Sequence, residues 1–194
     1  MKHYYNELPK NSKEFFSIDA KDSKTILWLN IVAVVMLVIV GLPFILFKPY
    51  DISSLDTFFT FLIIILPSMF MYIVLHELIH GLVYKLYTKQ KLTFGFTLFV
   101  AFCGVPNIYI KKKAALVAVL APFVFFSIIL IPVILIVPAN LFYLISLFIF
   151  CLHFSGCVGD FFVAYILIKS KGEVIINDTG PKQTFYILNE NTNL

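Results

Sequence analysis

The chain has 194 residues, of which 60% are hydrophobic, 17% aromatic and only 13% charged, with a net charge of +4. A mean hydropathy of +0.94 excludes an ordinary soluble domain and puts the chain among integral membrane proteins. All fifteen basic residues are lysines gathered in a few short segments, so the basic stripe that nucleic-acid binding needs is missing.

Residues 1–25 read as a cytoplasmic tail in which Phe15, Phe16 and Ile18 sit among charges, the pattern of an amphipathic segment lying on a membrane surface. The first apolar run, Ile26 to Phe47, is long and has no small-x-small cleavage site after it, so it reads as a retained anchor rather than a signal peptide.

The second run, Phe58 to Tyr87, carries His76-Glu77-Leu78-Ile79-His80, an H-E-x-x-H motif in an otherwise almost uncharged helix. Positions four apart share a helix face, so both imidazoles can aim at one metal ion. Glu77 lies about 100° round the helix, a poor place for a third ligand but a good one for reaching an attacking water. This is the arrangement of a zinc hydrolase with a glutamate base. Ionisable groups inside a spanning segment are costly, which marks them as functional candidates.

Between the second and third spans, Phe94, Phe96, Leu98, Val100 and Phe102 alternate with smaller or polar residues, which predicts a strand. Gly104-Val105-Pro106-Asn107 supplies a turn and Ile108-Tyr109-Ile110 a short return strand. A hairpin over about 91–111, dipping into the membrane from the cytoplasmic side, fits better than a fifth crossing, which would carry Lys111 to Lys113 outside. Backbone open at that depth must lie against protein or a wet cavity.

The third run is Ala114 to Val137 and the fourth Leu141 to Ile168. Lysines crowd the N-terminal tail, the segment between the second and third spans and the tail after the fourth, while the other two loops hold one between them. Both termini and the middle segment are therefore expected in the cytoplasm. The final segment, 169–194, reads as a cytoplasmic tail with two strands, Val174-Ile175-Ile176 and Phe185 to Leu188, around a turn at Asn177 to Pro181. The expected fold class is thus an all-α integral membrane protein of four transmembrane helices (26–168) with one β-hairpin.

A catalytic zinc takes three protein ligands. Within the spans the acids are Glu77 and Asp160; His76 lies 18 residues after Phe58 and Asp160 19 after Leu141, placing them at one depth. Ser155, Gly156 and Gly159 form a small-residue face beside Asp160 that suits close helix packing. His153 is the rival ligand, on nearly the same face but about 10 Å nearer the outside. Cys157 is weaker because it points away from the Asp160 face. His153, Cys157 and Asn107 are candidates for supporting or substrate-side roles, and the three cysteines make no evident disulfide framework.

With these residues the chain resembles intramembrane zinc metalloproteases of the site-2 protease type, and within them the small bacterial membrane proteins classed as putative zincin peptidases. His76-Glu77-x-x-His80-Gly81, Ala121-Pro122 and Gly159-Asp160 carry the resemblance, which covers roughly 58–171. Cys157-Val158-Gly159-Asp160-Phe161 stands where the larger site-2 proteases have Leu-Asp-Gly. The resemblance implies Zn²⁺ held by His76, His80 and Asp160, Glu77 as base, hydrolysis of membrane-protein or peptide substrates, and residence in a bacterial plasma membrane. Two other readings stand beside it. One is a catalytically silent zinc-binding scaffold or chaperone-like protein, which a fourth protein ligand would favour. The other is a transporter, against which four spans without an inverted repeat weigh.

Overall fold

The computed structural model describes residues 2–19, 22–47, 54–96 and 101–189. Two strands, β1 (Tyr4–Tyr5) and β2 (Ser12–Asp19), precede α1 (Ser23–Phe47) and α2 (Leu55–Thr88). Three short strands follow: β3 (Thr93–Phe96), β4 (Ala101–Gly104) and β5 (Tyr109–Lys111). After them come α3 (Lys112–Ile136), α4 (Leu141–Gly156), α5 (Val158–Lys169), β6 (Glu173–Asp178) and β7 (Lys182–Leu188).

Four helical stretches among the described residues are long and apolar enough to cross a membrane: α1, α2, α3 and α4 with α5. Their outward faces carry Leu27, Ile39, Ile63, Ile128 and Ile136, all exposed, as helices whose solvent is hydrocarbon should. Polar residues start them. Asp22 accepts from the Thr25 amide, Ser54 from the Thr57 amide and Asn140 from the Tyr143 amide, each satisfying an orphan donor of the first turn.

The fourth span is not the single helix expected. It breaks at Cys157, whose amide still reaches the His153 carbonyl, and restarts as α5 at Val158. Gly156 and Gly159 flank the break and lower helix propensity on both sides. A Cβ on either would meet nothing within 4 Å, so these glycines do not serve the close packing read from the sequence.

The chain divides into two units. In the unit of Leu29–Leu75 and Phe123–Gly159, Ile134, Tyr143, Leu147, Phe150 and Cys151 form the core, with Val40 and Phe44 against it. Phe44 meets Phe150 edge-on at 5.5 Å between centroids.

The other unit comprises Met1–Trp28, His76–Pro122 and Asp160–Leu194. It holds an antiparallel sheet in the order β1-β5-β6-β7-β2, which corrects the all-α expectation. The N-terminal segment, read as an amphipathic segment lying on a membrane surface, supplies both edges. Phe15 and Phe16 lie at a bulge in β2 and both pack on buried Phe185 of β7, which anchors β2 as a strand. The C-terminal hairpin is present as read, with β6 and β7 paired from Glu173↔Leu188 to Asp178↔Gln183. The middle hairpin is shifted: β3 pairs with β4 (Thr93↔Gly104 to Phe96↔Ala101), and Thr97 to Val100 fall outside the described residues. The expected return strand forms as β5 but leaves the hairpin to join β1 and β6. On the inner side, Ile110, Val174, Ile176 and Phe185 pack with Ala114, Ala115 and Ala118 of α3, whose small side chains admit close approach.

Segments before α1, between α2 and α3, and after α5 share this single sheet.

Candidate metal centre

The buried stripe of α2 runs His76, His80, Tyr84, Thr88, one residue per turn, each no more than 7% exposed. The two imidazoles sit edge to face with centroids 4.9 Å apart. α5 brings Asp160 to them. The helix break at Cys157 places this carboxylate in the first turn of α5, where the helix dipole favours a negative charge. Its Oδ2 lies 3.2 Å from His76 Nε2 and its Oδ1 3.4 Å from His80 Nε2.

His80 is oriented from behind. Its Nδ1 lies 2.8 Å from the Ala118 carbonyl oxygen, which can only accept, so Nδ1 carries the proton of the neutral ring. The Nε2 lone pair then points at a carboxylate oxygen that is itself an acceptor. With the ring neutral, these two acceptors at 3.4 Å would be joined by a cation between them. Ligand bonds of about 2.0–2.1 Å in a tetrahedron give ligand–ligand edges of about 3.3 Å, and each of the two nitrogen–oxygen spacings, one to each Asp160 oxygen, is close to that value.

Glu77, one step round α2, brings a carboxylate oxygen within 4.8 Å of both imidazole donors. It also faces the backbone amide of Cys103 on β4. The β3–β4 hairpin therefore sits directly beside the base candidate. Gly81 makes room for it, since a Cβ there would stand 2.6 Å from the Phe94 ring and 3.2 Å from the Cys103 sulfur. Burial, reinforced by the Glu77 and Asp178 carboxylates, pushes the Cys103 thiol up to about 12, so it stays protonated and inert at neutral pH.

His76, Glu77, His80 and Asp160 are thus together in one unit. His153, fully buried in the second unit, has Nδ1 2.9 Å from the Tyr72 hydroxyl and Nε2 3.1 Å from the Ser127 hydroxyl, with Phe123 stacked on its ring. Cys157 is buried at the helix break, its sulfur 3.8 Å from His153 Nδ1. Asn107 is exposed and takes the left-handed turn between β4 and β5 at φ 68°, a conformation asparagine tolerates well.

Sequence reading missed two contributors. Ala118 acts through its carbonyl, which no side-chain pattern betrays. Asp178, read only as a turn residue, is 1% exposed and accepts the Tyr84 hydroxyl at 2.6 Å. The signal for that contact is Tyr84 itself, one turn beyond His80 on the same stripe.

A family model described as "Putative zincin peptidase" matches residues 69–175, more than half of the chain, including His76, Glu77, His80 and Asp160. No curated protein and no solved structure matches.

Proposed function

The chain belongs to the putative zincin peptidase family, and from that premise we propose that it is an intramembrane zinc metalloprotease acting on membrane or membrane-associated proteins. The observation that carries this reading is the convergence of His76 Nε2 and His80 Nε2 on the two oxygens of Asp160, with Glu77 alongside. His76, His80 and Asp160 would hold the ion. Zinc in that place lowers the pKa of a water it holds and polarises a scissile carbonyl.

Glu77 accepts the proton of the attacking water and returns it to the leaving amine, a task for a carboxylate near the donors yet not clamped among them. The Cys103 amide steadies Glu77, and the Ala118 carbonyl fixes the His80 tautomer. A scissile bond in a helix is shielded, so the substrate must be extended. Among the described residues β3 pairs with β4 alone, and its other edge is suited to adding a substrate strand. Exposed Phe94 and Phe96 suit this hairpin to the bilayer interface. The shared sheet and the lysine distribution support both termini lying in the cytoplasm beneath a plasma membrane.

The test is metal content together with cleavage of membrane-protein substrates, in the parent and in Glu77→Gln. The amide keeps the size of the side chain but cannot carry a proton. Retained zinc with cleavage lost is expected. Parent-level cleavage by Glu77→Gln would overturn the mechanism, and unchanged biological function with zinc retained would favour a silent scaffold.

A further inference from the structure

Asp178 lies on β6, far in sequence from the motif helix, yet it is bonded to that helix through Tyr84. Its Oδ2 accepts from the Tyr84 hydroxyl at 2.6 Å and from Gln183 Nε2 at 3.1 Å, and its Oδ1 accepts from the Gly180 amide at 2.9 Å. Three donors on one buried carboxylate make a strong, directional anchor. Tyr84 is the next residue down the stripe from His80, so this anchor fixes the rotation of α2 about its axis. The Ala118 carbonyl fixes the same helix one turn higher, from α3.

The main chain of the same turn grips the hairpin. The Asp178 carbonyl accepts from the Val105 amide at 2.7 Å, and the Thr179 carbonyl lies 3.4 Å from the Thr93 hydroxyl. Gly104 and Gly180 close the joint. A Cβ on Gly104 would collide with the backbone of Thr179 and Gly180, and one on Gly180 with the Phe102 ring. Gly180 also has φ +98°, a conformation side chains disfavour. One turn thus holds α2 with its side chain and β3–β4 with its backbone. Those are the two elements that meet at Glu77, whose carboxylate faces the Cys103 amide.

We infer that the Asp178–Gly180 turn is a positioning clip: through Tyr84 and Val105 it sets the metal-binding face of α2 and the β3–β4 hairpin in register with each other. The inference rests on the zinc reading for its catalytic meaning, though not for the clip itself. Tyr84 and Asp178 touch neither substrate nor metal; they act through His80 and through the hairpin.

The experiment uses the full chain in detergent with Tyr84→Phe, which removes the donor, and Asp178→Ala, which removes the acceptor. Two quantities are read: the alkylation rate of Cys103, followed by peptide mass spectrometry, and zinc affinity by chelator competition. Ile134→Ala, in the core of the other unit, serves as a control for general destabilisation. Either clip variant should alkylate Cys103 about tenfold faster, as expected when a buried charge-assisted bond is lost. Zinc affinity should fall by about tenfold, typical for removing a partner behind a ligand. The double variant should be little worse than either single one, since both remove the same bond. Parent-level Cys103 alkylation and zinc affinity in Tyr84→Phe would overturn the clip, as would equal changes in Ile134→Ala. Faster Cys103 alkylation in a protein that binds no zinc even as the parent would leave the clip standing and remove the zinc reading.

Discussion

His80 and Ala118 are joined by a 2.8 Å contact from imidazole Nδ1 to backbone carbonyl, and this contact determines what the other nitrogen can do. A ring whose Nδ1 donates presents Nε2 as a lone pair, the form in which histidine binds metal. Because the acceptor is main chain, substitution at position 118 cannot remove it, and the orientation of His80 is built into the helix packing.

The first prediction follows from that geometry. Purified protein should hold about one zinc per chain. His80→Ala and Asp160→Ala should each lose most of it, a fall of at least about a hundredfold in affinity when one of three ligands goes. Elemental analysis after dialysis is the measurement. Full zinc in Asp160→Ala would move the third ligand elsewhere.

His153 should behave differently. Its ring links Tyr72, Ser127 and Phe123 within the second unit, so His153→Ala leaves a cavity and removes two hydrogen bonds. Thermal stability in detergent should fall by roughly 2–4 kcal/mol. Zinc content should stay at the parental level. Loss of zinc from a still-folded His153→Ala protein would make His153 a ligand.

How much of this was legible beforehand depends on the range of the signal. His76, Glu77 and His80 stand within five residues, and helical periodicity alone puts the imidazoles on one face. Asp160 was legible because it was the other acid within a span, and the pairing needed no long-range knowledge beyond depth. The break at Cys157 was not legible, since Gly156 and Gly159 read equally well as packing glycines. The sheet was hidden for another reason. β1 is two residues long and pairs with β5, and β2 pairs with β7 about 170 residues away, so neither strand carries its reason locally. Phe15 and Phe16 looked like a membrane-facing stripe; a bulge turns both toward Phe185 instead.

Topology gives the third prediction. Strands from three separate segments share one sheet, so cysteines introduced at Asn11, Lys112 and Lys182 should have the same sidedness. With lysines concentrated there, that side should be the cytoplasm. In intact cells none should react with an impermeant maleimide, and all should react after permeabilisation. Labelling of position 112 from outside while 11 and 182 stay protected would break the sheet as well as the topology.

Asp178 supplies the last prediction, a pH dependence of stability. Burial pushes its carboxyl up to about 6 from an ordinary 3.8, and Glu77 on α2 pushes the same way. The bonds from Tyr84 and Gly180 pull it down without cancelling the effect of burial. Between about 4 and about 6 the folded protein therefore keeps a proton that the unfolded chain has lost. The stability this group contributes is complete below about 4 and is lost as pH rises through about 6. For a fully buried group the difference is on the order of 3 kcal/mol. Asp178→Asn removes the titration but leaves an acceptor for Tyr84, so it should resemble the parent at pH 5 and lose less on going to pH 8. Thermal midpoints in detergent for both proteins at the two pH values make the comparison, and the other titrating groups cancel between them. If the two proteins lose the same stability between pH 5 and pH 8, the Asp178 carboxyl does not carry its proton into that range.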